Sequence, residues 1–91
     1  MAALFPLGQL LSTPGAIEAA AKADDDLLPY LTRHAAGDWG TVDKHDSRAN
    51  DQALKAGNRL LSAYLLKDGT KIWVITEADR AATTVLLPDE Y

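Results

Sequence analysis

Chemistry in this chain starts with its two histidines, His34 and His45, because no cysteine is present to serve as nucleophile or thiolate ligand. His45 lies in Asp43-Lys44-His45-Asp46-Ser47, where an imidazole, carboxylates and a hydroxyl crowd into five residues. A hydrolase built there needs the serine within reach of a base that a third group orients. Ser47 is two residues from His45, and side chains at that spacing do not face each other on a helix. The segment therefore reads as the polar first turn of a helix. A zinc site needs more ligands at scaffolded spacing, and no His-x-x-x-His pair supplies them. His34 falls in the last turn of another helix, where a cation meets free carbonyls, so a capping role is expected.

Carboxylates form the second group. Asp24-Asp25-Asp26 could chelate a metal or imitate nucleic acid, but acids at a helix start meet the positive end of its dipole, and that reading is preferred. Asp38, Asp43, Asp46 and Asp51 are spread over loop and helix. Glu77, Asp79 and Arg80 crowd opposite charges into one loop between two strands, which local ion pairing and turn formation explain. A glycine-rich phosphate loop is absent, since Gly37 and Gly40 follow a helix rather than a strand.

Ninety-one residues with 47% apolar and 24% charged side chains make one domain, residues 1–91, with a real core and little surplus stability. A net charge of −4 with scattered basic residues argues against direct nucleic-acid binding, which needs clustered Lys and Arg. The apolar N-terminus lacks a basic flank and is broken by Pro6 and Gly8. Neither a signal peptide nor a membrane span is expected, and a cytoplasmic home fits the lack of cysteine.

The elements that must position these groups follow from punctuation. Residues 1–12 read as an extended arm or edge strand, because Pro6 keeps them out of a sheet centre. Residues 13–57 read as the helical part. Thr13 caps a first helix with Pro14 at its first position. A second helix starts with Asp25 or Asp26 as cap and has Pro29 in its first turn. Gly37 stops it, and the loop after it holds Trp39 as a buried anchor. A third runs from Val42 or Asp43 to Ala56 and is closed by Gly57. Residues 58–91 read as a β-meander. In it, Asp68-Gly69 between two β-rich runs signals a two-residue type I′ hairpin. That loop puts Leu65 opposite Ile72 and Tyr64 opposite Trp73. Leu61, Ala63, Leu65, Ile72 and Val74 then form the core face, while Tyr64, Leu66, Trp73, Ile75 and Leu86 fall on the other. The expected fold is α+β: three short helices packed on one face of a three-stranded antiparallel meander, with an N-terminal arm.

Gly37-Asp38-Trp39-Gly40, Leu60-Leu61-Ser62-Ala63-Tyr64, Lys71-Ile72-Trp73-Val74-Ile75-Thr76-Glu77-Ala78-Asp79-Arg80 and Leu86-Leu87-Pro88-Asp89-Glu90-Tyr91 together resemble a family of small uncharacterised bacterial proteins. Such proteins are often found on plasmids and other mobile elements. The resemblance covers nearly the whole chain and implies a genomic setting; it brings no catalytic residue.

The function expected is that of a non-enzymatic interaction module without cofactor or metal. It would bind a protein partner or a second copy of itself through Tyr64, Leu66, Trp73, Ile75 and Leu86, with Glu77, Asp79 and Arg80 alongside. Two other functions remain open: an acidic nucleic-acid mimic that inhibits host defence (antirestriction or anti-CRISPR type), and a small hydrolase using His45.

Overall fold

In the computed structural model, which describes residues 3–91, helices and strands pack as an α+β domain. The chain forms strand β1 (Gln9–Ser12), helices α1 (Pro14–Lys22), α2 (Leu28–Ala35) and α3 (Lys44–Ala56), then strands β2 (Leu60–Leu65), β3 (Lys71–Thr76) and β4 (Ala82–Leu86). A single 3-10 turn, Pro88–Glu90, follows. The sheet has four strands in the order β1-β4-β3-β2, not three. The apolar arm supplies the fourth by lying parallel to β4, with Leu10 opposite Thr83, which makes the sheet mixed. None of the helices is long and apolar enough to cross a membrane, among the residues described.

Local rules place the helices well. The Thr13 hydroxyl accepts from the Ala16 amide at 3.1 Å, with Pro14 in the first turn. At α3 the Asp43 carboxylate accepts from the Asp46 amide at 2.8 Å, and Gly57 ends the helix in the left-handed region. Helix α2 starts at Leu28, with Pro29 in its first turn and Leu27 in the cap position. Asp26 still contributes, accepting the Leu28 amide at 3.0 Å.

The hairpin differs from its expected form. Leu66 N–H donates to Thr70 C=O and Gly69 N–H donates to Leu66 C=O, both at 2.8 Å, so the loop has three residues. Gly69 alone is left-handed (φ 89°), as in a type I turn closed by a one-glycine bulge, whereas type I′ needs positive φ at Asp68 as well. The Asp68 carboxylate holds this form by accepting the Thr70 amide at 2.9 Å. One extra loop residue slips the register by one: Leu65 faces Lys71, Tyr64 faces Ile72, Ala63 faces Trp73. Since side chains alternate, the slip turns all of β2 over.

The core face therefore carries Leu60, Ser62, Tyr64, Leu66, Ile72, Val74, Thr76, Thr83 and Val85, all buried. Leu61 and Leu65, expected inside, lie on the opposite face, half-buried and exposed respectively. Ala63 shares that face but is covered. Ala16 and Ala23 of the α1 region and Leu31 of α2 cover the Tyr64–Val85 part of the core. Phe5, Trp39, Ala53 and Leu60 form a second cluster at the α3 end. The thin apolar stripe of α3 buries only Ala53 and Asn50.

Asn50 is buried because it acts as a strand. Its amide donates to Leu61 C=O (2.7 Å) and accepts from Leu61 N–H (3.1 Å), closing the open edge of β2. Ala63 is closed next to it, its N–H donating to Trp39 C=O at 3.1 Å and its C=O accepting from Thr41 N–H at 2.7 Å. Asp25 takes the Lys67 amide, and the Tyr30 hydroxyl, whose proton goes to Asp25 at 2.7 Å, lies 3.3 Å from Leu65 C=O, so most of this edge is covered. Asn50→Ala leaves a donor and an acceptor unpaired and is expected to cost about 2 kcal/mol, read from the urea midpoint. An unchanged midpoint would mean that water replaces the amide at no cost.

Candidate functional site

Beneath the helices lies a chain of polar side chains that the alternation of β2, β3 and β4 aims at one point. His34, with no exposed surface, contacts Ser62 through Nδ1 (2.5 Å) and Thr76 through Nε2 (2.9 Å). Thr76 meets Thr83 at 2.7 Å, and Thr83 donates to Leu7 C=O at 2.7 Å. A carbonyl can only accept, so each proton is fixed in turn. Thr83 gives its proton to Leu7, Thr76 to Thr83, and His34 Nε2–H to Thr76. Nδ1 must then accept from the Ser62 hydroxyl.

His34 is thus a neutral imidazole that ties α2 to three strands and the arm, which corrects the cationic capping role expected for it. Burial, with the Arg80 charge nearby, lowers its pKa from 6.5 to about 4. Phe5 and Trp39 enclose the ring with centroids at 5.3 and 5.6 Å. A serine hydroxyl against an imidazole resembles half of a nucleophilic site, but Ser62 is fully buried and the far ring nitrogen is bonded to the Thr76 hydroxyl, where a triad places an acid.

The second histidine is placed as the sequence implied. Asp43, His45 and Asp46 bring ligand atoms within 4.8 Å of one another on the surface. The Asp43 carboxylate is engaged as the α3 cap, and the His45–Asp46 contact is long at 3.5 Å. This is the chemistry of a helix start.

Most carboxylates have local work. Asp25 accepts from Tyr30 Oη (2.7 Å), which holds its carboxyl below the usual range. Asp38 pairs with Arg33 at 2.7 Å and is lowered for that reason. Asp51 accepts the Trp39 indole N–H at 3.0 Å, and Asp79 the Ala81 amide at 3.0 Å.

What remains is the second face of the sheet. Trp73 stands opposite Leu86, and Ile75 opposite Thr84, with Leu11 beside Thr84 on β1. Instead of a helix, the chain's last turn crosses this face. Tyr91 packs edge-on against Trp73 with centroids 5.7 Å apart, and Arg59 donates to Tyr91 Oη at 2.6 Å. Arg59 also pairs with Glu77 at 3.3 Å, the position that follows Leu60↔Thr76 in the register and shares a face with Leu61↔Ile75. Glu90 is held by the Thr13 hydroxyl and the Leu87 amide, which lower its pKa in that order. Between these groups lies an open cleft of about 400 Å3, floored by Ile75, Thr84 and Leu86 and rimmed by Arg59, Glu77, Glu90 and Tyr91.

Of the residues expected to form one binding face, the structure brings together Trp73, Ile75, Leu86 and Glu77, but Ile75 and Leu86 are buried, at 4% and 7% exposure, rather than presented to a partner. Tyr64 and Leu66 are removed from it by the register slip and lie in the core, at 1% and 3% exposure. Burial pushes the Tyr64 hydroxyl up to about 12, and it donates to Asp38 C=O at 2.5 Å. Asp79 serves its own turn. Arg80 points inward, donating to Asn58 C=O (2.7 Å) and Ala53 C=O (3.3 Å) and lying over Phe5, so it clamps the end of α3. Arg59, Thr84, Glu90 and Tyr91 are the cleft residues missing from the expected set. The true register alone would have paired Arg59 with Glu77.

Fold and site define a small α+β domain that has an open sheet-face cleft and a sealed polar core. Comparison with family models, with curated proteins and with solved structures gives no match.

Proposed function

We propose that this protein is a non-enzymatic interaction module that docks a protein partner on the second face of its sheet. The reading is carried by the open cleft beside the half-buried Trp73, on a face crossed by the Pro88–Glu90 turn, with Thr84 half-buried on its floor between the buried Ile75 and Leu86. A cleft of about 400 Å3 has room for one or two apolar side chains, the size of an interface anchor. Arg59, Glu77 and Glu90 on its rim sum to one negative charge, which suits a basic residue flanking that anchor. The resemblance to plasmid-borne proteins would put the partner in host defence or in replication and transfer machinery.

Thr84→Arg is the direct test, because it fills the cleft from a half-buried position without entering the core. A partner recovered by the wild type is expected to bind Thr84→Arg at least tenfold more weakly, and Lys44→Glu, on an exposed turn of α3, unchanged. Equal binding by wild type and Thr84→Arg would refute the docking face.

A further inference from the structure

The two edges of the sheet are treated in opposite ways. Along β2, Asn50, the Trp39–Thr41 segment and Asp25 occupy the outward backbone groups of Leu61, Ala63 and Lys67, and the Tyr30 side chain lies over Leu65 C=O. Along β1, nothing comparable is present among the described residues. Gln9 and Thr13 point their amides inward, to Ala81 C=O (2.9 Å) and Val85 C=O (3.0 Å). Alternation then turns the N–H and C=O of Leu10 and Ser12 outward. The strand Gln9-Leu10-Leu11-Ser12 carries no charge, proline or bulge to blunt this edge. Leu10 and Leu11 are 50% and 43% exposed, and with Ile17 they supply three of the seven large apolar side chains that the described surface exposes.

We propose that β1 is a self-association strand, pairing antiparallel with β1 of a second copy across a two-fold axis to make a continuous eight-stranded sheet. An outward row of alternating donors and acceptors is complementary only to another extended strand, and an uncharged segment meets its own copy without repulsion. The outward groups set the register. Leu10 N–H and C=O exchange bonds with Ser12 C=O and N–H of the second copy, and Ser12 does the same with Leu10. Leu11 then faces its own symmetry mate across the axis as a non-hydrogen-bonded pair, Cα atoms about 4.5 Å apart. Each Leu11 covers the other, and each Leu10 lies on the α1 side. Leu11 adjoins the Ile75–Leu86 cleft through its neighbour Thr84 but does not line it, and the pairing rests on the β1 backbone, so the Leu10→Pro variant tests the dimer without altering a cleft residue.

Strand pairing over four residues is a small interface, and dimers are expected at concentrations on the order of 100 μM. Sedimentation equilibrium should show mass rising from 9.8 kDa towards twice that value as wild-type concentration increases. Leu10→Pro deletes an outward donor and leaves every bond to β4 in place, as edge positions allow. It should remain monomeric over the same range with an unchanged urea midpoint. A second readout does not depend on that variant folding: in a chain free of cysteine, oxidised Leu11→Cys should crosslink to itself, and Leu10→Cys at least tenfold less. A wild type that stays at 9.8 kDa up to about 1 mM overturns the proposal. So does equal crosslinking at the two positions, or an edge that takes up an unrelated extended peptide while the chain itself remains monomeric.

Discussion

Lowering the pH from 6.5 to about 4 is expected to remove roughly 3 kcal/mol of folding stability through His34 alone. The folded state holds this imidazole neutral, because protonation would put a cation where water cannot reach it. It would also turn Nδ1 from acceptor to donor, so Ser62 could no longer give its proton to the ring. The only charge identified as acting on the ring is the Arg80 guanidinium, which opposes protonation further. The unfolded chain meets neither obstacle and takes up the proton first as the pH falls below 6.5. Stability is therefore full above 6.5, declines towards about 4 and then levels off with respect to this group. Urea midpoints at pH 7.5, 5.5 and 4.5 should fall steadily for the wild type. His34→Gln should be less stable at pH 7.5 and nearly flat over the same interval. A wild-type midpoint as flat as that of the variant would show that the ring is not buried as a neutral base.

That expectation arises from a residue whose sequence neighbourhood pointed elsewhere. His34 sits near the end of α2, and position within a helix says nothing about which side meets the sheet. Its partners Ser62, Thr76 and Thr83 are 28 to 49 positions away, and their alignment exists only once the register is set. Where a feature depends on a few consecutive residues, the sequence was enough. The Thr13-Pro14 start of α1, the Asp43 and Gly57 ends of α3 and the burial of Trp39 are of this kind. The candidate site divides along the same line. Trp73, Ile75 and Leu86 share a face by alternation within β3 and one antiparallel pairing, and they emerged correctly. Tyr64 and Leu66 hung on one loop residue, because a type I turn with a bulge and a type I′ turn both use Asp-Gly. The apolarity of β2 gave no warning, since Leu61, Ala63 and Leu65 look as fit for the core as Leu60, Tyr64 and Leu66.

The arm shows why composition can identify an edge strand without placing it. Leu10 and Leu11 are apolar enough for a sheet, and Pro6 only forbids a central position. What selects the parallel place beside β4 is the inward pair of bonds from Gln9 and Thr13, together with Leu7 C=O as the end of the buried polar chain. Anchoring β1 thus depends on the same network that holds His34 neutral. Acid that disrupts the network is expected to loosen the arm ahead of β2, whose edge has its own seal.

That seal gives the second large effect: Gly40→Ala is expected to cost 3 kcal/mol or more, a substantial part of what a domain this size can spare. Gly40 has φ 76° and forms a parallel bridge to Ala63. A Cβ there would drive into the Ala63 carbonyl oxygen and the Tyr64 ring. Neither can move aside, because Ala63 is in the middle of β2 and Tyr64 is packed in the core. The Trp39–Thr41 segment must withdraw instead. It would give up both bonds to Ala63, strain the Tyr64 contact to Asp38 and pull Trp39 out of its cluster. Gly57 is the matched control, with φ 77° and nothing within 4 Å of an added Cβ. Gly57→Ala bears only the left-handed backbone penalty, about 1 kcal/mol. Urea denaturation of the two variants separates backbone preference from close approach. If both lose the same stability, Gly40 matters only for its dihedral angles and the contact with β2 adds nothing.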